Sequence, residues 1–177
     1  MKIILLGKMG AGKDTVANIL ERQHVFFHFA FADKLKQIAK ELFPEEFKDG
    51  NKPRALLQEL GQMMREIEKD CWTNYLINKI EKSAFTKQNC VITDCRYLNE
   101  LEIAKRHGFI PVRVVCDDGV RLERLKARDG SFDLATFKHV SETELDGLEV
   151  EWTIDNSETV EELRLKIYQL MEELKCK

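Results

Sequence analysis

Apolar positions along the chain switch between short continuous runs and stripes at helical spacing, and these switches mark out the elements. Ile3 to Leu6 is a compact apolar run broken at Gly7. Beyond Gly10 and Gly12, Val16, Ala17, Ile19 and Leu20 recur at helical spacing, so the opening reads strand, glycine loop, helix. Val25 to Ala32 (VFFHFAFA) predicts a second strand, Asp33 caps a short helix reaching about Phe43, and Pro44 to Pro53 predicts a mobile loop. A longer helix starts from Pro53, with Leu56, Leu57, Leu60, Met63, Met64 and Ile67 as its core face. Trp72, Tyr75, Leu76 and Ile80 stripe the next helix, and Cys90 to Thr93 forms a third strand ending at Asp94. A helix over Leu98 to His107, a fourth strand over Pro111 to Cys116 and an arginine-bearing helix after Gly119 follow. Val150 to Asp155 predicts the fifth strand, and Val160, Leu163, Ile167, Leu170 and Leu174 line a closing helix. This alternation predicts an α/β three-layer fold: a five-stranded, mostly parallel sheet with helices on both faces, in a single domain over residues 1–177.

Composition adds exclusions. With 177 residues, 44% apolar and 33% charged, the chain has room for a sizeable core. A net charge of −3 gives no general basic footprint, so no nucleic-acid partner is expected. No apolar stretch approaches the ~18 residues of a membrane span, and the first strand begins at once, so the expected location is cytoplasmic with no membrane partner. Cys71, Cys90, Cys95, Cys116 and Cys176 form no C-x-x-C pair and none has zinc spacing to a histidine, which predicts free thiols.

The chemistry concentrates in a few places. Gly7, Gly12 and Lys13 fit G-x-x-x-x-G-K, whose backbone N–H groups cradle phosphates at a helix N-terminus while the lysine reaches their outer oxygens. Asp14 stands where Ser or Thr usually serves the magnesium ion; its carboxylate can do so directly or through water, with Thr15 further round the helix. Asp94, at the carboxyl end of a predicted parallel strand, is a second magnesium candidate if that strand neighbours the first; the alternative is a turn-former. Arg54, Gln58, Gly61 and Arg65 share one helical face, with a glycine gap that suggests a close approach to the backbone; a solvated surface is the other reading. Arg121, Arg124 and Arg128, spaced three and four, are lid candidates or ordinary surface partners. Ser141 and Glu144 fit a capping box, and His139 alone is a weak signal.

Taken together, GKMGAGKDT (Gly7 to Thr15), FADKLK (Phe31 to Lys36), RALLQELGQMMR (Arg54 to Arg65) before Trp72, VITDCRYLNE (Val91 to Glu100) and HVSETELD (His139 to Asp146) resemble, in order, the phage-type deoxynucleoside monophosphate kinases, a branch of the nucleoside monophosphate kinase-like P-loop proteins. The resemblance implies a doubly wound sheet with the phosphate-loop strand in the middle, and transfer of the ATP γ-phosphoryl group to a nucleoside monophosphate in a monomer or homodimer. It implies ATP contacts from Gly7, Lys8, Met9, Gly10, Ala11, Gly12, Lys13, Asp14 and Thr15, with Arg121 and Asn156, and magnesium at Asp14 and Asp94. Asp33, Lys36, Arg54, Gln58, Arg65, Trp72 and Arg96 would face the acceptor. Lys13, Arg96, Arg124 and Arg128 would neutralise the transferring group. The acceptor-binding insertion would run over about 33–84 and the lid over about 119–147. Two other readings stay open: a P-loop kinase for a phosphorylated non-nucleotide, of the phosphomevalonate or dephospho-coenzyme A kind, and a non-catalytic nucleotide-binding sensor.

Overall fold

A computed structural model describes residues 1–51, 53–129 and 144–176. Its centre is β1 (Lys2–Leu6), in which Ile3, Ile4, Leu5 and Leu6 are all 0% exposed. An uninterrupted apolar run has no solvent face to offer, so it takes a position covered on both sides. Strand order is β2-β3-β1-β4-β5, every pairing parallel, with β2 at Phe26–Phe29, β3 at Asn89–Ile92, β4 at Ile110–Val115 and β5 at Trp152–Asp155. Side chains of β1 alternate between two cores, as the pleat requires. Ile3 and Leu5 pack with α1 (Lys13–His24) and the closing helix α7 (Val160–Lys175); Ile4 and Leu6 pack with α4 (Cys71–Glu81) and α5 (Leu98–Arg106). The all-parallel topology gathers the carboxyl ends of the strands at one edge. Because Ile4 pairs with Ile92, the loop after β1 and Asp94 after β3 emerge side by side.

The predicted elements are present, with shifted bounds and several corrections. Val25 is no strand residue: it ends α1 at φ 57°, donating its N–H to Leu20 and lying exposed. The Pro44 to Pro53 stretch contains a 3₁₀ segment, Pro44–Gly50, between α2 (Ala32–Leu42) and α3 (Arg54–Ile67). The core face of α3 is narrower than its apolar stripe: Leu57, Leu60 and Met64 pack inward, whereas Met63 is 55% and Ile67 81% exposed. An α3 laid on the edge of the domain has only one helix row to bury, and the row through Met63 and Ile67 looks outward. In α4, Trp72, Leu76 and Ile80 are buried as predicted, but Tyr75 is 41% exposed beneath the Lys34 ammonium, and Thr73 and Ile77 fill the core.

Asp33 lies one residue inside α2, its carboxylate accepting the Ala30 N–H at 3.0 Å, so it closes the preceding turn instead of capping the helix. The predicted capping box straddles the described region: Ser141 and His139 fall outside it. Glu144 falls inside and caps a different helix, accepting the Leu98 N–H of α5 at 2.7 Å. Helix α6 spans Asp118–Asp129. All five cysteines are unpaired. No helix among the described residues is long and apolar enough to cross a membrane.

Candidate active site

The loop between β1 and α1 is built around backbone that only glycine adopts readily: Gly7 at φ 138° and Gly12 at φ 94°. A methyl group at Gly7 would overlap the Val114 carbonyl, and one at Gly12 would overlap the Asn156 amide. Helix α1 opens at Gly12 with no side-chain cap, leaving its first N–H groups directed at whatever sits in the loop. Lys13 Nζ donates to the carbonyls of Gly7 at 2.6 Å and Lys8 at 3.2 Å, so the ammonium spans the loop's mouth. Burial lowers the Lys13 pKa to about 8, with the Arg96 guanidinium adding to the fall and Asp14 and Asp94 opposing it.

Three side chains brace this loop from outside. Asn156, just past β5, donates Nδ2–H to the Ala11 carbonyl at 2.8 Å and is itself 4% exposed. Arg121 of α6 donates to the Met9 carbonyl at 3.1 Å while pairing with Asp118, and Lys8 lies 3.7 Å from Asp146. Arg124, one turn on, binds the carbonyl of Asn156 at 2.8 Å and that of Glu158 at 3.5 Å. Of the three α6 arginines, Arg121 and Arg124 therefore grip backbone around the loop, and Arg128 projects to a neighbouring cleft.

That cleft holds about 460 Å³ and opens beside the phosphate loop between α2, α3, α4 and the start of α5. Arg54, Gln58 and Arg65, the face singled out on α3, line it together, with Arg96, Arg128, Asp94 and Trp72. Gly61 of the same face lies beneath: the Leu35 side chain packs against it, and its carbonyl accepts the Trp72 indole N–H at 3.2 Å and Arg65 Nη1–H at 3.3 Å. The close approach that the glycine gap suggests is thus made by the chain itself, through Leu35. Asp33 and Lys36 do not line the cleft; Lys36 lies 3.9 Å from Asp33 at the surface.

Asp94 turns both oxygens toward the start of α2, accepting Phe31 N–H at 2.7 Å and Ala32 N–H at 2.9 Å. Burial pushes its carboxyl above the usual range, against the pull of those two N–H groups. Asp14 and Asp94 both act on Lys13, and among the described residues no three acidic, histidine or cysteine side chains cluster as a metal site. One or two carboxylates beside a phosphate loop suit a magnesium ion that keeps most of its water and takes its other ligands from phosphate.

Other lining residues escaped the sequence reading. Phe31, Leu35, Leu57, Gln62, Tyr97 and Glu100 also face the cleft. Gln62 follows Gln58 by one turn, a spacing available in the sequence; Glu100 closes the VITDCRYLNE stretch, where no site role was expected of it. Glu100 is 2% exposed, accepts the N–H groups of Arg96 and Tyr97, and accepts Arg65 Nη2–H at 3.3 Å. Burial raises its pKa. Arg65 also stacks over the Tyr97 ring, 4.7 Å from its centroid. Four arginines against two carboxylates leave the lining formally at +2, beside aromatic and aliphatic walls.

Solved structures share this fold at low identity. TT1252 from Thermus thermophilus is 19% identical with TM-score 0.61, covering 98% of this chain and 97% of that one. Shikimate kinase from Acinetobacter baumannii, in complex with shikimate, is 20% identical with TM-score 0.60, over 99% and 95%. A gluconokinase from Sinorhizobium meliloti 1021 is 16% identical with TM-score 0.58, over 98% and 95%. No curated protein sequence matches. The AAA-domain profile matches residues 3–144, and with its glycine loop, Lys13 and parallel sheet accounted for, the chain belongs to that P-loop family.

Proposed function

We propose that the protein is an ATP-dependent phosphotransferase whose acceptor is a nucleoside monophosphate or deoxynucleoside monophosphate. The observation that carries this reading is the second cleft: a +2 arginine lining with aromatic walls, opening beside the phosphate loop. A phosphate monoester is a dianion and a nucleobase offers flat aromatic faces, so one ligand satisfies both parts of the lining.

In this reading Lys13 leaves the loop carbonyls and moves onto the donor's outer phosphate oxygens, joined by the N–H groups opening α1. Asp14, and Asp94 through water, are the carboxylates that would hold magnesium, which when bound neutralises phosphate oxygens. Arg96 lines both the large cleft and a small cavity shared with Gly7 and Lys13, which suits it to the oxygens between donor and acceptor. Arg54 and Arg65 take the acceptor phosphate, Gln58 and Trp72 face the rest of the acceptor, and Arg128 closes from α6. No covalent intermediate is needed, because positioning and charge neutralisation suffice when two phosphates are held in line. Water must be excluded from the acceptor's place, or the enzyme hydrolyses ATP.

A second reading is a kinase for a non-nucleotide small molecule. The fold likeness to shikimate kinase and gluconokinase favours it. Chromatographic assay of ATP-dependent transfer to ribo- and deoxyribonucleoside monophosphates, beside shikimate, gluconate and phosphorylated non-nucleotides, separates the two. Nucleoside diphosphate formation, abolished in Lys13→Ala and strongly reduced in Arg65→Ala, is the expected result. Product from a non-nucleotide alone moves the assignment to the second reading, and ATP binding with no transfer to any acceptor leaves a sensor.

A further inference from the structure

A glutamate in the wall of an anion-binding cleft repels the anion, so a buried one needs a reason. The three bonds it accepts supply that reason. Oε2 takes the backbone N–H of Arg96 at 2.9 Å and of Tyr97 at 3.2 Å, and Oε1 takes Nη2–H of Arg65 at 3.3 Å. The first pair fixes the turn between β3 and α5 from which the Arg96 side chain reaches the cleft. The third fixes a guanidinium that begins on α3, which is further held by the Gly61 carbonyl and the face of Tyr97. One carboxylate thus joins two cationic groups carried by separate elements.

We propose that Glu100 is a positioning residue for the acceptor's phosphate, tying Arg65 of α3 to the Arg96–Tyr97 turn so that both guanidiniums meet one anion as a preset pair. This rests on the phosphotransfer reading, since it requires an anion in the cleft. An arginine already held by three partners has given up the side-chain freedom that phosphate binding would otherwise remove. A glutamine cannot substitute: it has one acceptor oxygen, and its NH₂ would face either backbone N–H groups or the Arg65 donors. An aspartate keeps the charge but is one methylene too short to serve both sides.

The test saturates the phosphate loop with a non-hydrolysable ATP analogue and magnesium, then titrates inorganic phosphate by ³¹P NMR into wild type, Glu100→Gln, Glu100→Asp, Arg65→Ala and the Glu100→Gln/Arg65→Ala pair. Both Glu100 variants are expected to weaken phosphate binding about tenfold or more while leaving analogue affinity within about twofold. With Arg65 absent, the Glu100→Gln effect should shrink below about threefold, because the partner being positioned is gone. Equal or tighter phosphate binding in Glu100→Gln overturns the proposal, as does an equal loss with and without Arg65, which a purely structural role would give. Wild type that binds the analogue but no phosphate overturns the acceptor reading and this proposal with it. Should Glu100→Gln fail to unfold cooperatively, Arg65→Lys serves instead: it keeps the charge and loses the fork, so unchanged phosphate affinity there overturns the proposal.

Discussion

Lys13 carries the sharpest residue-level consequences. Its pKa near 8, set first by burial, lies below the ordinary lysine value of 10.5. The folded chain therefore holds this proton less tightly than the unfolded chain. Lys13 opposes folding fully below about pH 8, and that opposition fades as pH rises from 8 to 10.5. A triphosphate beside it favours the ammonium, so ATP binding between pH 8 and 9 should take up protons. Calorimetry in buffers of different ionisation enthalpy checks this, and the uptake should vanish in Lys13→Met. Asn156 makes a second residue-level case. Asn156→Leu leaves the buried Ala11 carbonyl without its 2.8 Å donor, an expected loss of about 1–3 kcal/mol by chemical denaturation, together with a raised KM for ATP.

At the scale of elements, helix ends and one close helix contact set the cleft's walls. Glu144 reaches α5 across a sequence separation of 46 residues, and Asp94 reaches α2 from the end of β3, so each helix start is capped by a distant carboxylate. Glu144→Ala should cost about 0.5–2 kcal/mol in denaturation while leaving ATP affinity unchanged, since Glu144 touches α5 and not the loop. The α2–α3 approach depends on Gly61. A methyl there would lie 3.1 Å from the Leu35 Cδ2 and 3.4 Å from Arg65 Nη1, so it would press on the α2 side chain and on the guanidinium that lines the cleft. Gly61→Ala is therefore expected to raise the acceptor KM more than the ATP KM in steady-state assays.

For the whole molecule, the parallel sheet decides where two ligands can meet. The phosphate loop follows the central strand, with the Asp94–Arg96 turn on one flank and Asn156 past β5 on the other. If the cleft takes the proposed acceptor, the two ligands share one edge of the sheet and should bind together. At about 100 times its Kd, each ligand should add roughly 2.7 kcal/mol of stability. Thermal shifts with ATP analogue and monophosphate together should exceed either alone; a mutually exclusive pattern would argue for a single nucleotide site.

Most elements and the phosphate loop were legible in the sequence, because both are local. An apolar run of strand length, glycines where φ turns positive, and a lysine at the helix start are written in neighbouring residues. The α3 arginine face was legible for the same reason, helical periodicity placing Arg54, Gln58 and Arg65 on one side. Which groups serve each other across the chain became visible only once it was folded. Asn156 on Ala11 spans 145 residues and Arg65 on Glu100 spans 35, and no spacing rule encodes either. The fold also decided that Arg121 and Arg124 grip backbone while Arg128 lines the cleft, since one helical face meets different neighbours along its length. Burial was settled last: whether Met63, Ile67 and Tyr75 lie inside depends on what the sheet leaves uncovered, a property of the packed whole.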